Sequence, residues 1–169
     1  MDEGTLIIYP PNTPRLRGLA DSEHQRIMSN LIVNFNNYFK NNIMNFSAIS
    51  ELSIIYPLIE YNGRIYKNKK FVPDIFIRFI PNNDLKNYNC PVMFIEICKK
   101  QMFENDIEKT NMYLRYTPSL QECFVYDYEN KIFAKSFKKR NNISQAIFKK
   151  YYSKYFNIDL RQFLEYSTF

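Results

Sequence analysis

At 169 residues, 46% of them hydrophobic, the chain can bury an ordinary core as one domain, and no second domain is required. No stretch approaches the ~20 apolar residues of a bilayer span, and Met1-Asp2-Glu3-Gly4 has no basic region leading into an apolar one, so neither a membrane segment nor a secretory signal is expected. Lysine and arginine outnumber aspartate and glutamate 23 to 17, a net charge of +6 and a pI near 9.1, which draws in a polyanion such as nucleic acid, although lysine-rich coding alone would give the same balance. Cys90, Cys98 and Cys123 are odd in number and lack metal-type spacing. They read as free thiols in an intracellular, reducing compartment rather than as a disulfide framework or a zinc site.

Thr5 to Tyr9 reads as a strand, followed by a loop through Pro10, Pro11, Pro14 and Gly18. Asp21 or Ser22 can cap the helix that follows, in which Ile27, Met28, Leu31, Ile32, Phe35, Tyr38 and Phe39 recur at three- and four-residue steps to about Asn41. His24, the single histidine, falls in its first turn, where a solvated or cap-associated role outweighs a catalytic one. Phe46 to Pro57 alternates loosely and carries Glu51. Asn62-Gly63 is a two-residue hairpin signal, because both residues tolerate positive φ, and it pairs Ser53 to Tyr61 with Arg64 to Lys67. Phe71 to Phe79 and Pro91 to Cys98 are short apolar runs suited to central strands, separated by a polar loop over 81–89.

Phe103 to Tyr116 is a helix candidate with Asn105 as its cap, ending before Pro118 because the residue preceding proline disfavours helical geometry. Asp106, Lys109 and Tyr113 project from one side of it. Cys123 to Tyr128 and Lys131 to Phe137 alternate as strands about a turn at Glu129-Asn130. In 138–155, Lys138, Lys139, Arg140, Lys149, Lys150 and Lys154 interleave with Phe148, Tyr151, Tyr152 and Tyr155. These could neutralise phosphates and stack on bases, or form a solvated edge or short helix. Asp159 to Glu165 reads as a closing helical turn, and no internal repeat is visible.

Two of these apolar runs each deliver a carboxylate: Val72-Pro73-Asp74-Ile75 and Phe94-Ile95-Glu96-Ile97. A charge inside such a run needs a hydrogen-bonded partner or a shared cation. The plainer reading has Asp74 capping a turn and Glu96 paired with a lysine. The sharper one has Asp74, Glu96, the Ile97 carbonyl and Glu51 converging on Mg²⁺ or Mn²⁺, which prefers oxygen ligands and keeps several waters. Such an ion can activate water and stabilise phosphodiester hydrolysis. A lysine would orient or deprotonate the water. Glu96 shares its strand face with Cys98, so Lys99 points away unless the strand has ended, and Lys109 on the following helix is favoured. A salt bridge to Asp106 is the alternative for Lys109.

The ordered set of segments resembles the Uma-two family of restriction endonucleases, within the PD-(D/E)xK nuclease superfamily. It comprises Ser22-Glu23-His24-Gln25-Arg26-Ile27, Glu51-Leu52-Ser53, Val72-Pro73-Asp74-Ile75, Phe94-Ile95-Glu96-Ile97, then Asp106, Lys109 and Tyr113. It continues through Pro118-Ser119-Leu120-Gln121-Glu122-Cys123-Phe124-Val125-Tyr126-Asp127 and Phe156-Asn157-Ile158-Asp159-Leu160-Arg161-Gln162-Phe163-Leu164. The resemblance implies an α/β fold with a restriction-endonuclease-like αβββαβ core, its mixed central sheet flanked by helices. It further implies metal-dependent DNA cleavage, with Glu51, Asp74, Glu96 and a lysine at the active site. Family members place that lysine on the helix after the glutamate strand, which matches Cys98 and Lys109. Where members continue into a Ser-Pro turn, this chain has Cys98-Lys99-Lys100-Gln101. The competing expectation is a catalytically inactive nuclease-fold module that binds nucleic acid or a partner protein in a larger assembly. Hydrolysis of RNA or a nucleotide is a third, and a homodimer follows only by analogy.

Overall fold

The computed structural model describes residues 7–9, 22–81, 90–140, 142–148 and 150–165, with only the backbone described for 7–9 and 145–148. The possible cap Asp21, most of the 81–89 loop and Lys149 lie outside the described residues.

Helix α1 covers Ser22–Asn41, and its apolar stripe does what the spacing predicts: Ile27, Met28, Leu31, Phe35 and Phe39 are buried. Helix α2 covers Phe103–Tyr116. A six-stranded sheet lies between them, ordered β2 (Phe46–Ser50), β5 (Ile75–Phe79), β6 (Pro91–Cys98), β7 (Glu122–Asp127), β8 (Ile132–Lys139), β9 (Asn142–Phe148). Among the described pairs β6 and β7 alone run parallel, as their connection through α2 requires; the others are antiparallel. Strands β3 (Ser53–Tyr61) and β4 (Arg64–Phe71) form a hairpin about Asn62-Gly63, which with β1 (Ile7–Tyr9) makes a separate three-stranded sheet. Two short strands, β10 (Tyr152–Ser153) and β11 (Ile158–Asp159), pair near the end of the described chain.

The period-2 pattern of the central strands sorts their side chains into two layers. Ile75, Ile77, Met93, Ile95 and Ile97 pack with α1 on one face. Phe76 and Phe94 pack on the other with Met112, Tyr113 and Leu114 of α2 and with Ile54, Tyr56 and Ile59 of β3. The αβββαβ core is therefore α1, β2, β5, β6, α2, β7, and the β3–β4 hairpin is inserted between its first two strands.

Four expectations give way. The Phe46 to Pro57 strand splits, because Glu51 takes a left-handed conformation with φ of 62° and the chain crosses to the other sheet. The Phe71 to Phe79 run is divided by Pro73, so that Phe71 closes β4 and β5 begins at Ile75. Asn105 does not cap α2: the helix starts at Phe103 after a 3₁₀ turn over Lys100–Met102, and its N-cap, Met102, makes no side-chain cap. Finally, the basic stretch after Lys138 contains strand β9 rather than a short helix.

Candidate functional site

The ladder between β5 and β6 ends at Ile75 opposite Ile95; one further step of the same register sets Asp74 opposite Glu96. Like charges so placed repel. The Asp74 carboxylate turns onto the backbone, where Oδ2 accepts from the Ile97 amide at 2.8 Å. His24 reaches the same oxygen from the first turn of α1, Nε2 to Oδ2 3.3 Å. The histidine is thus neither solvated nor a cap; it faces Asp74.

Glu96 is 3% exposed and points to the α2 side of the sheet with Phe94. Its Oε1 accepts from the Tyr113 hydroxyl at 3.0 Å and lies 3.5 Å from Lys109 Nζ. Tyr113 is held by edge contacts with the Phe94 and Phe71 rings, at 5.1 and 5.8 Å between centroids. Lys109 Nζ is also 3.5 Å from Asp106, one helical turn earlier. Cys98, the residue two after Glu96 on the same face, is buried, and the Asp106 charge bears on its thiol. The Asp106–Lys109 salt bridge and the Glu96–Lys109 contact are one network, not alternatives.

Burial pushes the Glu96 carboxyl well above the usual range; the Asp74 charge pushes it further, and Lys109 only partly offsets this. Asp106 is raised by burial as well, with Lys109 opposing. Burial alone would pull the Lys109 ammonium down, but Glu96, Asp106 and Asp74 outweigh it and its pKa rises, so the amine is charged at neutral pH. Burial, followed by the Asp106 charge, drives the Cys98 thiol strongly upward.

Asp74, Glu96, Ile97, His24, Asp106, Lys109 and Tyr113 are thus brought together by four elements. Glu51 is not. It is half-buried in the crossing between the two sheets, and among the described residues no three His, Cys, Asp or Glu side chains converge as a metal-ligand group. Of the three expected carboxylates, Asp74 and Glu96 are the two that the β5–β6 register sets opposite each other. Lys99 follows the end of β6 and is exposed. Lys138, expected to meet nucleic acid, donates to the Thr117 and Pro118 carbonyls at the end of α2, at 2.7 and 2.9 Å. Lys139, Arg140 and Lys150 are exposed. The role of Cys98 at Asp106 was missed by sequence reasoning, although its place on the Glu96 face pointed there.

No protein-family model matches the chain, and no curated protein matches it in sequence. Its structure is similar to the solved structure of a protein from Anabaena variabilis ATCC 29413 described as "a putative nuclease belonging to DUF820", with a TM-score of 0.54 and 13% identity over 86% of this chain and 82% of that one. The likeness is one of fold: a nuclease-like α/β architecture with a mostly antiparallel central sheet and flanking helices.

Proposed function

We propose that the chain is a metal-dependent endonuclease of the PD-(D/E)xK type that hydrolyses DNA phosphodiester bonds at the Asp74–Glu96 pair. One observation carries the reading. Two buried acids, Asp74 and Glu96, face each other across the β5–β6 ladder, and the Lys109 contact to Glu96 is long, at 3.5 Å. Buried negative charge of that kind is stabilised by a divalent cation.

The donor set suits Mg²⁺ or Mn²⁺. Asp74, Glu96 and the Ile97 carbonyl offer hard oxygen, and a two-carboxylate site leaves room for the waters that Mg²⁺ retains. When bound, the ion would activate a water and neutralise charge on the phosphate. Tyr113 holds one Glu96 oxygen and thereby fixes the carboxylate's rotation, while the Ile97 amide and His24 do the same for Asp74. Lys109 is charged, so it serves as a donor to the attacking water or to a phosphate oxygen, and not as the base. The likeness in fold to the Anabaena protein described as "a putative nuclease" supports this reading.

The test combines calorimetric Mn²⁺ titration with cleavage assays on single- and double-stranded DNA and RNA. Expected are Mn²⁺ uptake and metal-dependent DNA cleavage by the wild type, both lost in Asp74→Ala. A wild type that takes up no Mn²⁺ and cleaves nothing would make the fold a binding module.

A further inference from the structure

We propose that the inserted β3–β4 hairpin is the arm that grips the DNA backbone beside the cleaved bond, through Arg64, Lys67, Lys69 and Lys70 of β4. The proposal rests on the nuclease reading for the identity of the polyanion. Strand β4 carries these four cations and no acid in eight residues, and it is an edge of the three-stranded sheet. All four side chains are exposed, and among the described residues none is paired with a carboxylate. Their neighbours across the hairpin do not neutralise them: Lys67 lies opposite Leu58 and Lys70 opposite Ile55. Lys69 sits 5.0 Å above the Tyr66 ring, which steadies its long stem.

The arm and the candidate site are joined covalently and by packing. Strand β4 ends at Phe71, three residues before Asp74, and the Phe71 ring edges onto Tyr113, whose hydroxyl binds Glu96. Tyr61, which pairs with Arg64 across the hairpin, lays its ring 5.8 Å from the Phe71 ring. The strand is therefore curled, which holds its cations near the end that leads to Asp74, and a phosphate backbone on this edge meets them beside the site. Of the cations near the end of β8, Lys138 is committed to the carbonyls at the end of α2.

The experiment measures binding of a fluorescent 20-base-pair duplex without divalent ions across a salt series. It compares the wild type, the quadruple variant Arg64→Gln/Lys67→Gln/Lys69→Gln/Lys70→Gln, and the control Lys139→Gln/Arg140→Gln/Lys150→Gln. The quadruple variant should bind at least tenfold more weakly at 0.1 M salt, its log–log salt slope shallower by about 0.9 for each phosphate no longer neutralised, and the control should stay near wild type. A second readout needs no variant: bound duplex should protect Lys67, Lys69 and Lys70 from acetylation and leave Lys139 and Lys150 reactive. A quadruple variant that binds like wild type, with or without self-association through the uncovered edge, overturns the proposal and makes the lysines guards against strand pairing. A wild type that does not bind the duplex overturns it too. Protection of β4 in a protein that takes up no Mn²⁺ and cleaves nothing would sink the nuclease reading and leave the arm standing.

Discussion

Glu96 on β6 and Glu122 on the neighbouring β7 are buried alike, at 3% and 4% exposure, yet their surroundings differ in kind. Glu122 is fully served: Lys135 Nζ at 2.7 Å, the Ser153 hydroxyl at 2.7 Å, and the amides of Lys154 and Tyr155 at 3.1 and 2.9 Å. Lys135 also donates to the Tyr152 carbonyl, so this carboxylate staples the β10–β11 turn to the sheet. Glu96 has one hydroxyl, one distant ammonium and a second carboxylate across the ladder. Burial by itself therefore does not mark a functional acid. Incomplete compensation is what sets Glu96 apart, because the missing positive charge is what a ligand would bring.

The largest effect that would sharpen this contrast is on activity. Asp74→Asn or Glu96→Gln should lower DNA cleavage by about 10⁴-fold, near 5 kcal/mol of barrier, with no fall in melting temperature, as read by single-turnover assay and thermal scan. Glu122→Ala should do the reverse. It leaves Lys135 buried without its partner and should cost about 3–5 kcal/mol of stability in urea denaturation; an unchanged midpoint would break the contrast. Lys109→Met comes next, with about a 10²-fold loss of cleavage and Mn²⁺ heats retained, which separates a donor to the reacting groups from a metal ligand.

The smallest expected effect is on pH dependence. The folded-state pKa of Glu96 is raised above its ordinary 4.5, so without a divalent ion its favourable contribution is complete below that pH. The contribution is lost as pH rises toward the folded value, and Asp106 acts in the same sense. Urea midpoints of Glu96→Gln and wild type should move apart between pH 5 and pH 8, and Mg²⁺ should bring them together. A gap that is the same at both pH values would mean that the carboxyl titrates normally.

Much of the frame was legible because it rests on periodicity. The α1 stripe, the Asn62-Gly63 turn and the β6 run occur where their patterns place them. Asp74 and Glu96 were legible because each breaks an apolar run. The preference for Lys109 over Lys99 followed from strand alternation, and the geometry brings Lys109 to Glu96. What was not legible depends on how separate elements dock. No local pattern says that the first turn of α1 brings His24 to Asp74, or that Lys138 turns back onto the end of α2. The break in the strand at Glu51 was not legible because a left-handed residue between two sheets leaves no sequence signal when it is not glycine or asparagine.

One helix supplies Asp106, Lys109 and Tyr113 and, on the same turns, the buried anchors Ile107, Met112 and Leu114. A slip of α2 by one residue rotates it by roughly 100° and would withdraw the amine, the phenol and the third acid at once. On the nuclease reading, the azimuth of this helix is a coordinate of the chemistry, set by ordinary hydrocarbon. A repacking at Met112 or Ile107 that leaves stability untouched should still detune the chemistry.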